Sequence, residues 1–175
     1  MRITLFITLS ILVLGIQNTD AQNNKPCNCC SEEHTTFDFW LGDWEVTNPN
    51  GSKAGINKIS KIQDGCIIKE EWTSATAGYT GTSYNFYNAA INKWEQVWID
   101  NQGSILKLSG NYVEDKMVLE SDESKNKAGK LVKNRITWSK NGDGTVLQVW
   151  DVVHEGKVIS TLFRGLYKPI VKAID

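Results

Sequence analysis

The chain has 175 residues, a net charge of −1 at pH 7 and seven tryptophans. Its length suits one domain with a single hydrophobic core. Positive and negative charges nearly balance and no block of like charge occurs, so the sequence offers no basic surface for nucleic acid. We therefore expect no nucleic-acid partner, and any ligand is not expected to be a polyanion.

The first residues are typical of a cleavable export signal. Arg2 precedes an apolar run at residues 3–16, which is followed by Thr19, Asp20 and Ala21, a segment that suits a signal peptidase. The apolar run is shorter than the roughly 18 to 20 residues that cross a bilayer. We predict a signal peptide at residues 1–21, no membrane span, and a protein that is exported to the periplasm or secreted.

Four cysteines are unevenly placed: Cys66 lies in the body of the chain, and a tail at residues 22–36 contains Cys27, Cys29 and Cys30. An even number of cysteines in an exported protein favours disulfides, so we expect Cys66 to bond to one of the three tail cysteines. A Cys/His metal site that includes His34 is an alternative, because thiolate and imidazole bind zinc or copper(I). The spacing in CNCCSEEH does not match a zinc motif, so no metal is predicted. Free or intermolecular thiols are a third alternative.

From residue 43 onward, short runs rich in Val, Ile, Thr, Tyr and Trp alternate with turn residues. Ten strands are predicted, at residues 43–47, 54–62, 66–74, 79–87, 93–99, 104–112, 116–121, 131–140, 145–153 and 157–168. A short helix is predicted at residues 31–41 with Ser31 as its N-cap, and the polar link at residues 122–130 is predicted to be a mobile loop. Links of hairpin length favour a closed up-and-down antiparallel barrel over a β-sandwich, which usually needs longer crossing connections. The predicted fold class is therefore all-β, a barrel of about ten strands.

The motif GDW at residues 42–44 begins the first predicted strand, and Arg164 lies on the last. This arrangement resembles the closure of lipocalin-like barrels, in which a first-strand Gly-x-Trp lies at the barrel floor and a basic residue of the last strand stacks on it. The resemblance implies that Trp44 and Arg164 close the barrel, a contact that contributes roughly 0.5 to 2 kcal/mol. The stretch FWLGDW, residues 39–44, is then a lid and floor rather than a binding site.

A broader resemblance covers nearly the whole chain after the signal. The runs FDFWLGDWEV, GTSYNFYN, KWEQVWIDNQGS and GLYK are similar to those of a family of exported bacterial lipocalin-like (calycin-type) barrel proteins. This resemblance implies a barrel at residues 37–169 like those of lipocalins and fatty-acid-binding proteins. It implies no activity.

Strict alternation decides which side chains of a strand point into a barrel. On the third predicted strand, Glu70 and Trp72 share one face, and we predict that both point inward. A buried carboxylate must be paired, hydrogen-bonded or neutralised, so Glu70 is either a member of a structural ion pair or the anchor of a ligand. Arg135 is a candidate partner because a guanidinium suits a buried carboxylate, although Ile136 and Trp138 make the opposite face of its strand the more apolar one.

Aromatic and amide side chains complete the predicted interior wall. Trp94, Gln96 and Trp98 share a face of the fifth predicted strand, and Gln148 and Trp150 repeat the pattern on the ninth. Core packing is the commoner use of such aromatics, but a flat apolar wall with hydrogen-bonding groups also suits an amphipathic molecule. The inward face of the strand at residues 79–87 is not decided by its pattern. The predicted ligand-binding residues are Glu70, Trp72, Trp94, Gln96, Trp98, Arg135, Gln148 and Trp150.

Motifs for phosphate loops, serine nucleophile elbows and zinc proteases are absent. His34 and His154 are poorly placed to bind haem inside a barrel, so no cofactor is predicted. The favoured function is an exported β-barrel that binds an apolar or amphipathic small molecule. One alternative is a cofactor-free enzyme that uses Glu70 as acid or base. The other is a structural or interaction protein with a filled interior, which predicts the absence of a ligand-sized cavity.

Overall fold

The computed structural model describes residues 27–171 as a closed antiparallel β-barrel of ten strands, which confirms the predicted fold class. An eleventh strand of two residues pairs with the start of β9, on the same edge as β7 and beyond its end. The strands are β1 (Gly42–Thr47), β2 (Lys53–Ile62), β3 (Ile67–Ser74), β4 (Thr80–Asn88), β5 (Lys93–Asp100), β6 (Ile105–Val113), β7 (Lys116–Glu120), β8 (Ser124–Lys125), β9 (Leu131–Lys140), β10 (Val146–His154) and β11 (Lys157–Pro169). The predicted signal peptide at residues 1–21 lies outside the described residues.

Each barrel strand is hydrogen-bonded to its neighbours, and the ring closes where β11 pairs with β1. In that closing pair, Trp44 lies opposite Pro169 and Thr47 lies opposite Leu166. The link at residues 122–130, predicted to be a mobile loop, contains β8, which pairs with the start of β9. No helix within residues 27–171 is long and apolar enough to cross a membrane.

The predicted helix at residues 31–41 is broken into two short segments. One turn of α-helix, α1, spans Glu32–Thr35, and a 3-10 turn spans Asp38–Trp40. The Ser31 hydroxyl does not cap the helix backbone, because it donates to Glu33 and contacts His34 Nδ1. The break at Phe37 allows both Phe37 and Trp40 to insert fully into one end of the barrel, where their exposed fraction is 0%.

Aromatic rings seal this end of the barrel, which we call the closed end. The ring of Phe37 stacks on Trp40 with centroids 5.0 Å apart, and it meets the edges of Trp94 and Trp138 at 5.6 and 5.2 Å. Trp44 donates from its indole to the carbonyl oxygen of Trp40 at 2.9 Å. Two of the three aromatic residues in FWLGDW, Trp40 and Trp44, therefore belong to this seal, and Phe39 packs against it.

The resemblance-based closure by Arg164 is wrong. Arg164 is exposed and lies on the outer face of β11, because Phe163 and Gly165, the residues on either side of it, face the interior. Trp44 is 4% exposed and packs against Tyr167, with ring centroids 6.2 Å apart. A tyrosine on the inner face of the last strand thus occupies the role expected of an arginine.

Two disulfides hold the segment that covers the closed end. Cys29 is bonded to Cys66, in the turn before β3, and Cys27 is bonded to Cys30. All four thiols are therefore occupied, so the alternative of a Cys/His metal site with His34 is wrong. Within residues 27–171 no group of three or more side chains of the metal-binding types comes together.

Candidate functional site

The strands bring polar side chains together at the middle of the barrel. Glu70 on β3 lies directly opposite Ser83 on β4, and Asn85 on β4 lies directly opposite Gln96 on β5. Gly81, Ser83 and Asn85 are all buried, so this set forms the inward face of β4. The pattern of inward residues therefore builds a polar layer between the aromatic seal and the opposite end, which we call the open end.

Glu70 is the charged centre of this layer and is 5% exposed. Its Oε1 accepts a hydrogen bond of 2.7 Å from Asn57 Nδ2, and its Oε2 accepts one of 2.6 Å from the Ser83 hydroxyl. Burial raises the pKa of Glu70 to about 6, and these two hydrogen bonds oppose the rise by stabilising the charged form. The carboxylate is thus mostly ionised at neutral pH, although it is inside the protein.

Further hydrogen bonds connect the strands on either side of Glu70. On one side, Asn57 Nδ2 also donates to the Tyr167 hydroxyl at 3.3 Å, and that hydroxyl donates to Gln148 Oε1. On the other side, Gln96 Nε2 donates to Asn85 Oδ1 at 2.7 Å. The connected network crosses from β10 to β5 and converges on one carboxylate.

A cavity of about 420 Å³ lies above this network and is bounded by it. Glu70, Gln96, Gln148 and Tyr167 line it beside side chains from the outer turns of the open end. The cavity is in the lower part of the range that holds small-molecule ligands in proteins, about 300 to 1,000 Å³. The aromatic residues in its wall are Trp72, Tyr79, Trp98, Trp150, Phe163 and Tyr167.

Two glycines make room for the indoles of this wall. A Cβ at Gly55 on β2 would lie 2.6 Å from Cη2 of Trp72, and a Cβ at Gly81 would overlap the ring of Trp98. Both rings therefore lie flat over the backbone of a neighbouring strand instead of projecting across the barrel. This arrangement keeps the interior open at the level of the two indoles.

Both glutamine side chains retain hydrogen-bonding atoms on the cavity side. Gln148 uses Oε1 and Gln96 uses Nε2 within the network. Within residues 27–171, no partner is found for Gln148 Nε2, which can donate, or for Gln96 Oε1, which can accept. The cavity thus offers a donor, an acceptor and a carboxylate among aromatic rings.

The structure brings six of the eight predicted ligand-binding residues together around the cavity. They are Glu70, Trp72, Gln96, Trp98, Gln148 and Trp150. Trp94 belongs to the closed end, where it is 3% exposed and its indole donates to the Glu33 carbonyl oxygen and the Thr36 hydroxyl. Its inward orientation is as expected, but the polar layer separates it from the cavity.

The predicted contact between Arg135 and Glu70 does not form. Arg135 lies on the outer face of β9, since its neighbour Ile136 is 5% exposed and faces the interior. It lies directly opposite Glu120 on β7, and Arg135 Nε donates to Glu120 Oε1 at 2.6 Å. The apolar character of Ile136 and Trp138 was the stronger signal for the orientation of this strand.

Sequence reasoning missed the residues that hold Glu70 and those that extend the cavity wall. Asn57 and Ser83 lie on inward positions; Asn57 is a polar residue beside Ile59 on the inward face of β2, and Ser83 shares its face with the equally polar Asn85. Tyr167 follows Gly165 at an alternating position on β11, and that alternation is the signal that could have found it. The missed residues of the site are Asn57, Tyr79, Ser83, Phe163 and Tyr167.

Scanning the chain against protein-family models finds no match, and searching the curated proteins finds none either.

Proposed function

We propose that the protein is an exported β-barrel that binds an apolar or amphipathic small molecule in the cavity at its open end. The observation that carries this proposal is the cavity of about 420 Å³ with an aromatic wall and a polar base. A cavity of this kind is the usual form of a small-molecule site. The alternative of a structural or interaction protein with a filled interior predicts no ligand-sized cavity and disagrees with this observation.

The distribution of polar and apolar groups supports an amphipathic ligand. Trp72, Trp98, Trp150 and Phe163 would cover an apolar body, while Glu70, Gln96 and Gln148 would meet a polar end group at the base. Aromatic rings contribute large contact areas to such sites. A few polar groups at one end would fix the orientation of the bound molecule.

Export is supported by features at the N-terminal end. The two disulfides are typical of proteins that fold in an oxidising compartment. The signal-like sequence at residues 1–21 agrees with this location. Membership of the exported calycin-type family stays a proposal that rests on the sequence resemblance.

A second candidate function is a cofactor-free enzyme with Glu70 as general acid or base. The observation that favours it is the pKa of Glu70, about 6, for a group that lines a cavity. General acid–base catalysis is most efficient when the pKa of the group is near the working pH. Replacing Glu70 by Gln separates the two functions, because an enzyme would lose turnover but keep binding its substrate, whereas a carrier would keep much of its affinity for a neutral ligand.

The binding proposal can be tested with the neutral fluorophore phenylnaphthylamine. Its fluorescence should rise on titration with the protein, because the dye moves from water into an aromatic cavity. Ala54 lines the cavity and is 8% exposed. We expect the substitution Ala54→Trp to fill the cavity and to weaken dye binding by at least about tenfold.

The matched control is Ile56→Trp, on the same strand but on the outer face, where the side chain is 42% exposed. This variant should bind the dye like the unmodified protein. Equal binding by the Ala54→Trp variant would place the dye elsewhere and would contradict the proposed cavity site.

A further inference from the structure

We propose that the ligand carries a positively charged amine or ammonium group, which binds at the base of the cavity against Glu70. This inference rests on the proposed function, because it names the chemical class of the molecule that occupies the same cavity. It follows from three features of the described residues: the charge at the base, the neutral character of its partners, and the aromatic rings above it.

The base of the cavity carries a negative charge without a protein counter-charge. Both hydrogen-bond donors to the Glu70 carboxylate, Asn57 and Ser83, are neutral. No Lys, Arg or His within residues 27–171 lies within ion-pair distance of it. A buried carboxylate without a counter-charge is costly for the protein. A cationic ligand would offset that cost, whereas a ligand carboxylate would increase it.

Glu70 has capacity for further hydrogen bonds. A carboxylate can accept about four, two at each oxygen, and the protein supplies one to each oxygen. An ammonium group carries up to three donors and no acceptor. Such a group could therefore bind Glu70 and also donate to Gln96 Oε1, which has no partner within residues 27–171.

The other charged side chain of the cavity lining is at the rim. Lys53 begins β2 at the open end, and its side chain is 46% exposed. Its ammonium group lies 3.3 Å from Glu45 Oε2, so its charge is already balanced outside the cavity. Lys53 therefore does not neutralise the charge of Glu70 at the base, an arrangement that favours a cation at the deep end.

Aromatic rings complete the recognition of a cation. Trp72 is two residues from Glu70 on the same face of β3, and Trp98 lies opposite Ser83, the donor to Glu70. The faces of indole rings attract ammonium groups, especially where water is excluded. A carboxylate below and indoles around the same space form a site that prefers a cation to a neutral group of equal size.

Other titratable groups near Glu70 do not interfere with this preference at ordinary pH. The two groups that feel its charge are tyrosines: burial raises the pKa of Tyr79 and raises the pKa of Tyr167 well above its ordinary value. Both phenols therefore stay neutral. Asp100, which accepts a hydrogen bond from Tyr79, has a lowered pKa and stays ionised at the outer edge of the open end. Glu70 is thus the group of the base that changes charge near neutral pH.

The test compares three naphthyl probes of similar size by calorimetric titration at about pH 7.5: naphthylethylamine, naphthylethanol and naphthylacetate. The amine is cationic, the alcohol neutral and the acid anionic at this pH. We expect the amine to bind at least about tenfold more tightly than the alcohol, and the acid to bind most weakly. On lowering the pH to about 5, the advantage of the amine should shrink because Glu70 becomes protonated, whereas alcohol binding should change little.

Two variants separate the charge from the fold. Glu70→Gln should abolish the difference between amine and alcohol while alcohol binding persists. The control Glu71→Gln removes an exposed carboxylate on the opposite face of the same strand, which pairs with Lys69 at 2.9 Å, and it should keep the full difference.

The outcomes distinguish this inference from the proposed function. Alcohol or acid binding at least as tight as amine binding in the unmodified protein would overturn the inference and leave the binding barrel intact. Binding of none of the three probes, together with no binding of phenylnaphthylamine, would contradict the proposed function and this inference together. Because the comparison uses the unmodified protein, it holds even if Glu70→Gln fails to fold.

Discussion

At the scale of single residues, Glu70 is the buried carboxylate at the base of the cavity. Its side chain is 5% exposed and accepts hydrogen bonds from β2 and β4. Both bonds stabilise the charged form, but burial has the larger effect and raises the pKa from 4.5 to about 6. The protein therefore keeps a costly ionised group inside the barrel, and a cationic ligand would offset that cost.

This pKa predicts how stability depends on pH. Because the folded-state pKa is raised, folding favours the protonated carboxyl group. The contribution of Glu70 to the free energy of unfolding is therefore fully present below about pH 4.5 and is lost as the pH rises through about 6. Each pKa unit corresponds to about 1.4 kcal/mol, so the total effect is about 2 kcal/mol.

Urea unfolding of the unmodified protein and of Glu70→Gln at about pH 4 and about pH 7 measures this effect. The free energy of unfolding of the unmodified protein minus that of the variant should be about 2 kcal/mol smaller at about pH 7 than at about pH 4. A difference between the two proteins that is the same at both pH values would show that the carboxyl group titrates normally.

At the scale of strands, the cavity depends on small residues beside large ones. The indole of Trp98 on β5 lies over Gly81 on β4, and that of Trp72 on β3 lies over Gly55 on β2. Any side chain at these glycines would push an indole from the strand surface into the cavity. The two glycines therefore shape the cavity although neither has a side chain that lines it.

The substitution Gly81→Ala tests this dependence. The added methyl group overlaps the ring of Trp98, and overpacking of this kind costs about 1 to 3 kcal/mol. Phenylnaphthylamine binding should also weaken, because the displaced indole enters the cavity. Gly142 has open space around its Cβ position, so Gly142→Ala should change the free energy of unfolding by less than about 0.5 kcal/mol. Equal effects of the two substitutions would contradict the packing argument.

Alternation along each strand also explains how much of the site could be predicted from the sequence. A period of two placed Glu70 with Trp72, and Gln96 with Trp98, on inward faces. Alternation also gave the inward orientation of Trp94, but it could not show that Trp94 lies at the closed end, because it gives the face of a strand and not the height of a residue along the barrel. The same rule left Arg135 open, since only the register of β7 and β9 brings it opposite Glu120.

The hydrogen-bond network around Glu70 was harder to predict for a related reason. Asn57 and Tyr167 are 110 residues apart in the chain, and they meet only because β11 and β2 flank β1 in the closed ring. Strand register and ring closure decide such contacts, and neither is encoded in a local pattern. The resemblance-based role of Arg164 failed for the same reason, because the residue that meets Trp44 is Tyr167.

At the scale of the whole molecule, the two ends of the barrel differ: one is sealed and the other contains the cavity. The closed end is sealed by aromatic rings, and the segment that covers it is bonded through Cys29 to Cys66. An ion pair of 2.8 Å between Lys61 and Asp38 connects the same segment to β2. The cavity therefore opens at the end opposite this seal.

Removal of the disulfide between Cys29 and Cys66 should reduce stability more than removal of the other disulfide. The disulfide between Cys29 and Cys66 closes a loop with a sequence separation of 37 residues, whereas Cys27 and Cys30 are separated by 3. In the chain-entropy account the longer loop corresponds to roughly 3 to 4 kcal/mol. Urea unfolding of the double serine variants at each pair measures both losses, and a larger loss for Cys27 and Cys30 would show that the closed end does not depend on the longer connection.

Native mass spectrometry of the protein purified from its own host tests most directly whether the cavity at the open end holds a small molecule. We expect a discrete mass beyond that of the disulfide-bonded polypeptide, released on denaturation, and the released molecule should contain an amine or ammonium group. Release of a neutral or anionic molecule would contradict the cationic class and leave the binding barrel standing. A bare polypeptide mass that persists after incubation with host extract would contradict the binding of a small molecule in this cavity.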